Sequence, residues 1–116
     1  KSMRTVADVR DAVRAYHMLL TVNPQPGEVY NIGGTKSLTV EAILQHLASL
    51  AEGGAHLHYR EDPNRLRPLD ADLQIPDCTK FKELTGWAPQ IPFEQTMQNL
   101  LDFWRKKVRA APCLQR

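Results

Sequence analysis

Glu28-Val29-Tyr30-Asn31-Ile32-Gly33-Gly34 and, a few residues on, Thr39-Val40-Glu41-Ala42-Ile43-Leu44-Gln45-His46-Leu47-Ala48-Ser49-Leu50 carry the pattern from which an architecture follows. Val29, Tyr30 and Ile32 suit a pleated surface and the paired glycines end the run, so Glu28–Ile32 reads as a strand. Thr39 stands where an N-cap hydroxyl is wanted, and Glu41 places a carboxylate in the first turn. Val40, Ile43, Leu44, Leu47 and Leu50 then recur at helical spacing. Gly53-Gly54 stops that helix, and Ala55, Leu57 and Tyr59 alternate with His56, His58 and Arg60 as a half-exposed strand does. Strand, helix and strand over this length predict a βαβ unit, with Glu28–Ile32 parallel to Ala55–Tyr59 and a right-handed crossover.

Outward from that unit the chain reads as helix. Asp8 is placed to cap a helix from about Asp8 to Leu20, whose Val9, Ala12, Val13, Tyr16 and Leu20 share an apolar face. Asn23-Pro24-Gln25-Pro26-Gly27 ends it, because two prolines and a glycine do not extend a helix. Glu61 to Ile75 has no clean period. Asp77 caps a short helix through Leu84, closed by Gly86. After Pro92, Met97, Leu100, Leu101, Trp104 and Val108 form an amphipathic stripe, which predicts a last helix ending near Lys107 with Trp104 covering the core. The expected class is α/β: a small lobe with a short parallel strand pair packed by three main helices.

Composition bounds the function. A chain of 116 residues with 42% hydrophobic content builds one modest core. No run of 18 apolar residues is present, so no membrane-spanning helix is expected, and Lys1-Ser2-Met3-Arg4 leads into charged residues rather than the apolar core of a signal peptide. A net charge of +2, with acids and bases mixed, gives no support for a nucleic-acid partner. Two cysteines, Cys78 and Cys113, in dissimilar contexts fit a reducing, cytoplasmic setting. His46, His56, His58 and Cys78 lack the spacing of a structural metal site. Cys78 at a helix start has a position that lowers a thiol pKa, yet nothing beside it in sequence suggests a nucleophile. Trp87 is expected to pack over the final helix, and Lys106, Lys107 and Arg109 to sit where a helix dipole favours cations.

Arg67-Pro68-Leu69-Asp70 is the segment with most chemistry. A guanidinium forks onto two phosphate oxygens, and a carboxylate accepts both vicinal hydroxyls of a ribose. From residue chemistry alone a surface ion pair between Arg67 and Asp70 is the stronger reading, because exposed pairs are common and contribute little. Asn31, at a predicted strand end before two glycines, suits either a self-satisfied turn or a ligand contact. Together with Asp62-Pro63, Gly86-Trp87-Ala88-Pro89 and Ile91-Pro92-Phe93-Glu94, these runs resemble the C-terminal, sugar-nucleotide-binding lobe of the extended short-chain dehydrogenase/reductases, nearest to the GDP-mannose 4,6-dehydratases.

That resemblance covers Arg4 to Arg105 and reverses the odds at Arg67 and Asp70. It implies that Arg67 contacts phosphate or ribose, Asp70 the ribose, Asn31 the nucleotide diphosphate or base side, and Arg4 the diphosphate. Arg4, Val9 and Asp11 match the family's spacing, whereas Thr5 stands where an Asp commonly follows the Arg, and Asp70 stands where the dehydratases often have Glu. The substitution at position 70 keeps a sister reductase or an epimerase open, and a non-enzymatic interaction module is the alternative of another class. The resemblance further implies that residues 1–109 form the lobe and 110–116 a frayed tail, and that an N-terminal Rossmann domain, absent from this chain, binds NADP and supplies catalysis. The full-length enzyme would be a homo-oligomer taking GDP-mannose or a related nucleotide sugar. With no Gly-x-x-Gly-x-x-Gly loop and no Tyr-x-x-x-Lys pair, no catalytic, cofactor-binding or metal residue is assigned here.

Overall fold

A computed structural model describes residues 3–51, 60, 62–65 and 73–110. The order is β1 (Met3–Val6), α1 (Val9–Thr21), β2 (Lys36–Thr39), α2 (Val40–Ser49), a 3-10 turn at Pro63–Arg65, β3 (Leu73–Gln74), α3 (Thr79–Thr85) and α4 (Phe93–Ala110). The strands form one mixed sheet in the order β2-β1-β3. β1 runs antiparallel to β2, with Met3 opposite Thr39 and Val6 opposite Lys36. It runs parallel to β3, with Met3 opposite Leu73 and Arg4 opposite Gln74. The lobe is therefore α/β with a short parallel pair, three main helices and one short one, as expected.

The members of that pair differ from the expectation. Glu28–Ile32 is not a regular strand, and Ala55–Tyr59 lies outside the described residues. A strand exists only where a ladder partner exists; here Tyr30 and Ile32 pack on the core instead, and Val29 stands 79% exposed. The βαβ inference, with its handedness, falls with that strand.

The helix boundaries follow the caps. The Asp8 carboxylate accepts from the Arg10 N–H at 2.9 Å and starts α1. The Thr39 hydroxyl accepts from the Ala42 N–H at 3.1 Å and starts α2. At α3 the Asp77 carboxylate accepts from Thr79, although Cys78 holds the cap position. Gly86 ends α3 at φ 72°, the left-handed conformation that glycine enters without steric cost.

The core is small: Ala15, Phe81 and Trp87, flanked by Met18, Leu19, Tyr30 and Ile32, with Phe93 and Met97 buried at the start of α4. Tyr30, Phe81 and Trp87 are linked by tilted ring contacts at 5.5 and 5.7 Å. Trp87 thus packs between α1 and α3 rather than over α4. The α4 stripe is only partly used, since Met97 is buried but Trp104 and Val108 are half exposed. Lys107 covers the Phe103 and Trp104 rings at 5.5 and 5.3 Å.

Candidate functional site

Three segments meet at the end of β1, and each carries or adjoins a residue singled out from the sequence. Arg4 is half buried in β1, and its Nη1 donates to the Met3 carbonyl at 3.1 Å. The Thr5 hydroxyl straps β1 to β3 by donating to the Gln74 carbonyl at 3.5 Å. Asn31 is exposed, in the segment that runs into Gly33-Gly34. Those glycines allow the chain to approach chain: a Cβ on Gly34 would lie 1.7 Å from the Val6 carbonyl oxygen, and one on Gly33 would lie 2.4 Å from the Pro76 ring. The Asn31 segment is thereby fixed against the ends of β1 and β3. Arg67 and Asp70 lie outside the described residues; β3 begins three residues after Asp70 and pairs with the strand bearing Arg4.

Beside this junction a cavity of about 250 Å³ opens between Gly33–Thr35, Pro76, Cys78, Lys82 and the Trp87–Pro89 turn. Cys78 lines it. Burial, and then the Asp77 carboxylate, push its pKa up, outweighing a bond from the Gly33 N–H. This corrects the lowering inferred from its place at a helix start. Lys80 secures the same segment from α3, donating to Glu28 at 2.5 Å and to the Val29 carbonyl at 3.2 Å while lying 4.9 Å over the Tyr30 ring. Its hydrogen bond and charge hold the Glu28 carboxyl below its ordinary value.

The carboxylates at the start of α1 do more than cap it. Asp8 is buried, paired with Arg10 through both oxygens at 2.9 Å, and accepts from the Thr96 hydroxyl of α4 at 2.8 Å. Asp11, 2% exposed, accepts from Arg14 at 2.8 Å and from the Gln90 and Ile91 N–H groups at 3.0 and 2.9 Å. The Trp87 indole donates to the Asp11 carbonyl at 3.1 Å, and Arg14 lies 5.9 Å over the Trp87 ring while donating to the Ala88 carbonyl. Gly86-Trp87-Ala88-Pro89 is therefore a clamp that fastens α1 to the turn before α4. The sequence showed the motif but not its partner: the signal was Asp11, which entered there only through the spacing of Arg4, Val9 and Asp11.

Among the described residues no three metal-ligating side chains come together. No helix among them is long and apolar enough to cross a membrane.

Comparison with known proteins defines the class and then the family. The fold matches the Pseudomonas aeruginosa protein RMD, solved with NADPH, at a TM-score of 0.80 and 25% identity over 92% of this chain and 34% of that one. It matches the UDP-glucose 4-epimerase of Thermotoga maritima, solved with UDP-glucose, at 0.72 and 27% over 92% of this chain and 33% of that one. The lobe is thus of the kind found in nucleotide-sugar-modifying enzymes of the extended short-chain dehydrogenase/reductase class.

More narrowly, the profile of the GDP-mannose 4,6 dehydratase family matches residues 1–100, and the chain belongs to that family. It is 28% identical to the GDP-6-deoxy-D-mannose reductase of Pseudomonas aeruginosa, over 91% of this chain and 34% of the reductase. It is 33% identical to the dTDP-glucose 4,6-dehydratase of Haemophilus influenzae, over 83% of this chain and 30% of that enzyme. The chain spans about a third of the length of these relatives.

Proposed function

We propose that this chain is the substrate-gripping lobe of a GDP-mannose 4,6-dehydratase, in which Arg4, Asn31, Arg67 and Asp70 hold the nucleotide diphosphate of GDP-mannose. The match to the dehydratase family over residues 1–100 is the observation that carries this reading. Its supports are the half-buried position of Arg4, the Asn31 segment packed against the same strand, and the place of Arg67 and Asp70 in sequence shortly before β3, which pairs with that strand. Two guanidiniums neutralise a diphosphate through charge-assisted bonds, and a carboxylate selects ribose hydroxyls.

Among the described residues, the paired glycines offer a nicotinamide dinucleotide no seat. The Gly33-Gly34 turn has both Cα positions closed off, by Pro76 and by the Val6 carbonyl, where a pyrophosphate-cradling turn needs open backbone. In this proposal NADP binding and the hydride chemistry belong to an N-terminal Rossmann domain, with the complete enzyme a cytoplasmic homo-oligomer. GDP-6-deoxy-hexose reduction is the second reading, favoured by the similarity to the Pseudomonas reductase and by Asp rather than Glu at position 70.

Titration calorimetry of the chain with GDP, UDP and dTDP tests the assignment, with GDP expected to bind most tightly. Arg67→Ala should weaken GDP binding about ten- to a hundredfold, the loss of one charge-assisted contact of about 1.5–3 kcal/mol. Asp70→Asn should weaken it less and narrow the preference for ribose over 2′-deoxyribose nucleotides. Equal GDP affinity in Arg67→Ala and the parent refutes the assignment and leaves Arg67 and Asp70 as a surface pair.

A further inference from the structure

The outer half of α4 carries aromatic and cationic side chains together on exposed surface. Leu100, Phe103, Trp104 and Val108 are 41%, 55%, 50% and 51% exposed, although Met97 on the same stripe is buried. Spaced three and four residues apart, they are neighbours along the helix and form one apolar patch. Arg105, Lys106, Lys107 and Arg109 are interleaved with it, and no acid follows Asp102 in the chain. The Asp102 carboxylate is itself taken up by Gln98 and Arg105, at 3.1 to 3.2 Å. Lys107 Nζ lies over both rings, 5.5 Å from the centre of Phe103 and 5.3 Å from that of Trp104. A helix dipole accounts for cations in a last turn, but gives no reason for exposed rings beside them.

We propose that residues 100–109 of α4 dock on an anionic lipid bilayer, the rings lying at headgroup depth and the cations meeting lipid phosphates. Charge complementarity comes first: a run of Arg and Lys without acids matches a negatively charged leaflet. Ring chemistry comes second, since an indole has an apolar body and a polar N–H, the combination that settles at a bilayer surface. Third is the stem of Lys107, which lies across both rings and is long enough to keep its ammonium in water while the rings sink. An acidic protein groove would satisfy the same charges, but a cation held over paired rings suits a boundary between water and hydrocarbon. The contact places α4 along the surface, since none of the described helices is long and apolar enough to cross a membrane.

Co-sedimentation of the whole chain with large vesicles tests this. Vesicles of phosphatidylcholine alone are compared with vesicles holding about 30% phosphatidylglycerol. The chain should partition at least about tenfold more strongly onto the anionic vesicles, and raising salt from about 0.05 M to about 0.3 M should remove most of that difference. Lys106→Glu with Lys107→Glu should lower partition onto anionic vesicles at least about tenfold, and Trp104→Ala about three- to tenfold. Lys82→Glu, at an exposed position of α3, controls for net charge and should stay within about twofold of the parent. Equal partition onto the two kinds of vesicle overturns the proposal, as does a double Glu variant that binds like the parent. Sedimentation with neither also overturns it and leaves an acidic protein as the partner.

Fluorescence separates a lipid contact from charge attraction alone. Trp87 is buried and Trp104 half exposed, so emission of the parent should shift to the blue on anionic vesicles and be quenched when their acyl chains are brominated. In Trp104→Ala, which retains Trp87, neither change should occur. Binding of the parent with neither shift nor quenching overturns the proposal, because the rings then stay in water. Should the double Glu variant fail to fold, Lys106→Gln with Lys107→Gln takes its place, with a loss of about three- to tenfold expected and parent-like binding the overturning result.

Discussion

Replacing Asp11 tests whether the clamp between α1 and the Gly86–Pro92 turn holds the lobe together. Its carboxylate receives three bonds, from Arg14, Gln90 and Ile91, at 2.8 to 3.0 Å and with 2% exposure. Asp11→Ala strands two backbone N–H groups and a partly buried guanidinium together, and breaking such a pair costs about 3–5 kcal/mol. Asp11→Asn keeps one acceptor oxygen, loses the charge and turns a donor toward a donor, for about 1.5–3 kcal/mol. Against the roughly 5–15 kcal/mol of an ordinary domain, the first change removes much of the stability. Urea unfolding followed by the fluorescence of buried Trp87 measures both, the Asn variant serving if the Ala variant is already unfolded. An Asp11→Ala unfolding free energy within about 1 kcal/mol of the parent's would refute the clamp.

The same site sets a pH dependence. Burial alone would raise the Asp11 pKa, but the bonds from Arg14, Ile91 and Gln90 outweigh it and hold the carboxyl below its ordinary value. Asp8 is lowered further, chiefly by its hydrogen bond from Arg10. Both groups are depressed in the folded state. Their contribution is therefore present above the unfolded carboxylate value of about 3.9 and is lost as pH falls toward the folded values. Stability of the parent should fall from about pH 4 downward, and that fall should be shallower in Asp11→Asn.

Other expectations follow from single contacts. Gly34→Ala drives a Cβ into the Val6 carbonyl, a backbone group that cannot swing aside, and should lower Tm by about 10–15 °C; Gly27→Ala, at φ 85° with open space around it, should cost several-fold less in the same calorimetric scan. Cys78, raised by burial, should react with an aromatic disulfide more slowly than free cysteine at pH 7.5 in a Cys113→Ser background. A reaction midpoint below pH 8 would contradict its environment.

The helices were legible because their signals are local. Asp8, Thr39 and Gly86 bound elements within one or two residues of where they fall, and a cap needs only the next turn to act. The strands were not. β1 has four residues and β3 two, too short for an alternation to register, and their pairing joins positions some seventy residues apart. Glu28–Ile32 failed the other way, with good strand side chains and no ladder to join. At the site, the family resemblance pointed to Arg4 and Asn31, but nothing local reveals that Gly33 and Gly34 are consumed by Pro76 and Val6. That fact lives in tertiary packing.

α1 shows most plainly what a periodicity leaves open. The spacing of Val9, Val13, Tyr16 and Leu20 gives one apolar face, but not the body that face meets. Within the lobe, the inward side joins the core residues Ala15, Met18 and Leu19 to the carboxylates Asp8 and Asp11, which bond to Arg10, Thr96, Arg14, Gln90 and Ile91. Directional bonds fix the register of α1 on the clamp, while Ala15, Met18 and Leu19 supply its hydrophobic contact. Burying those four side chains from their present exposure is worth about 4–8 kcal/mol gross, at about 1.5–3 kcal/mol for a fully buried side chain. That approaches the net stability of a whole domain, before the cost of association. A helix made this way is oriented in the lobe by polar bonds and by one apolar side, while its second apolar stripe adds little to the lobe's own stability.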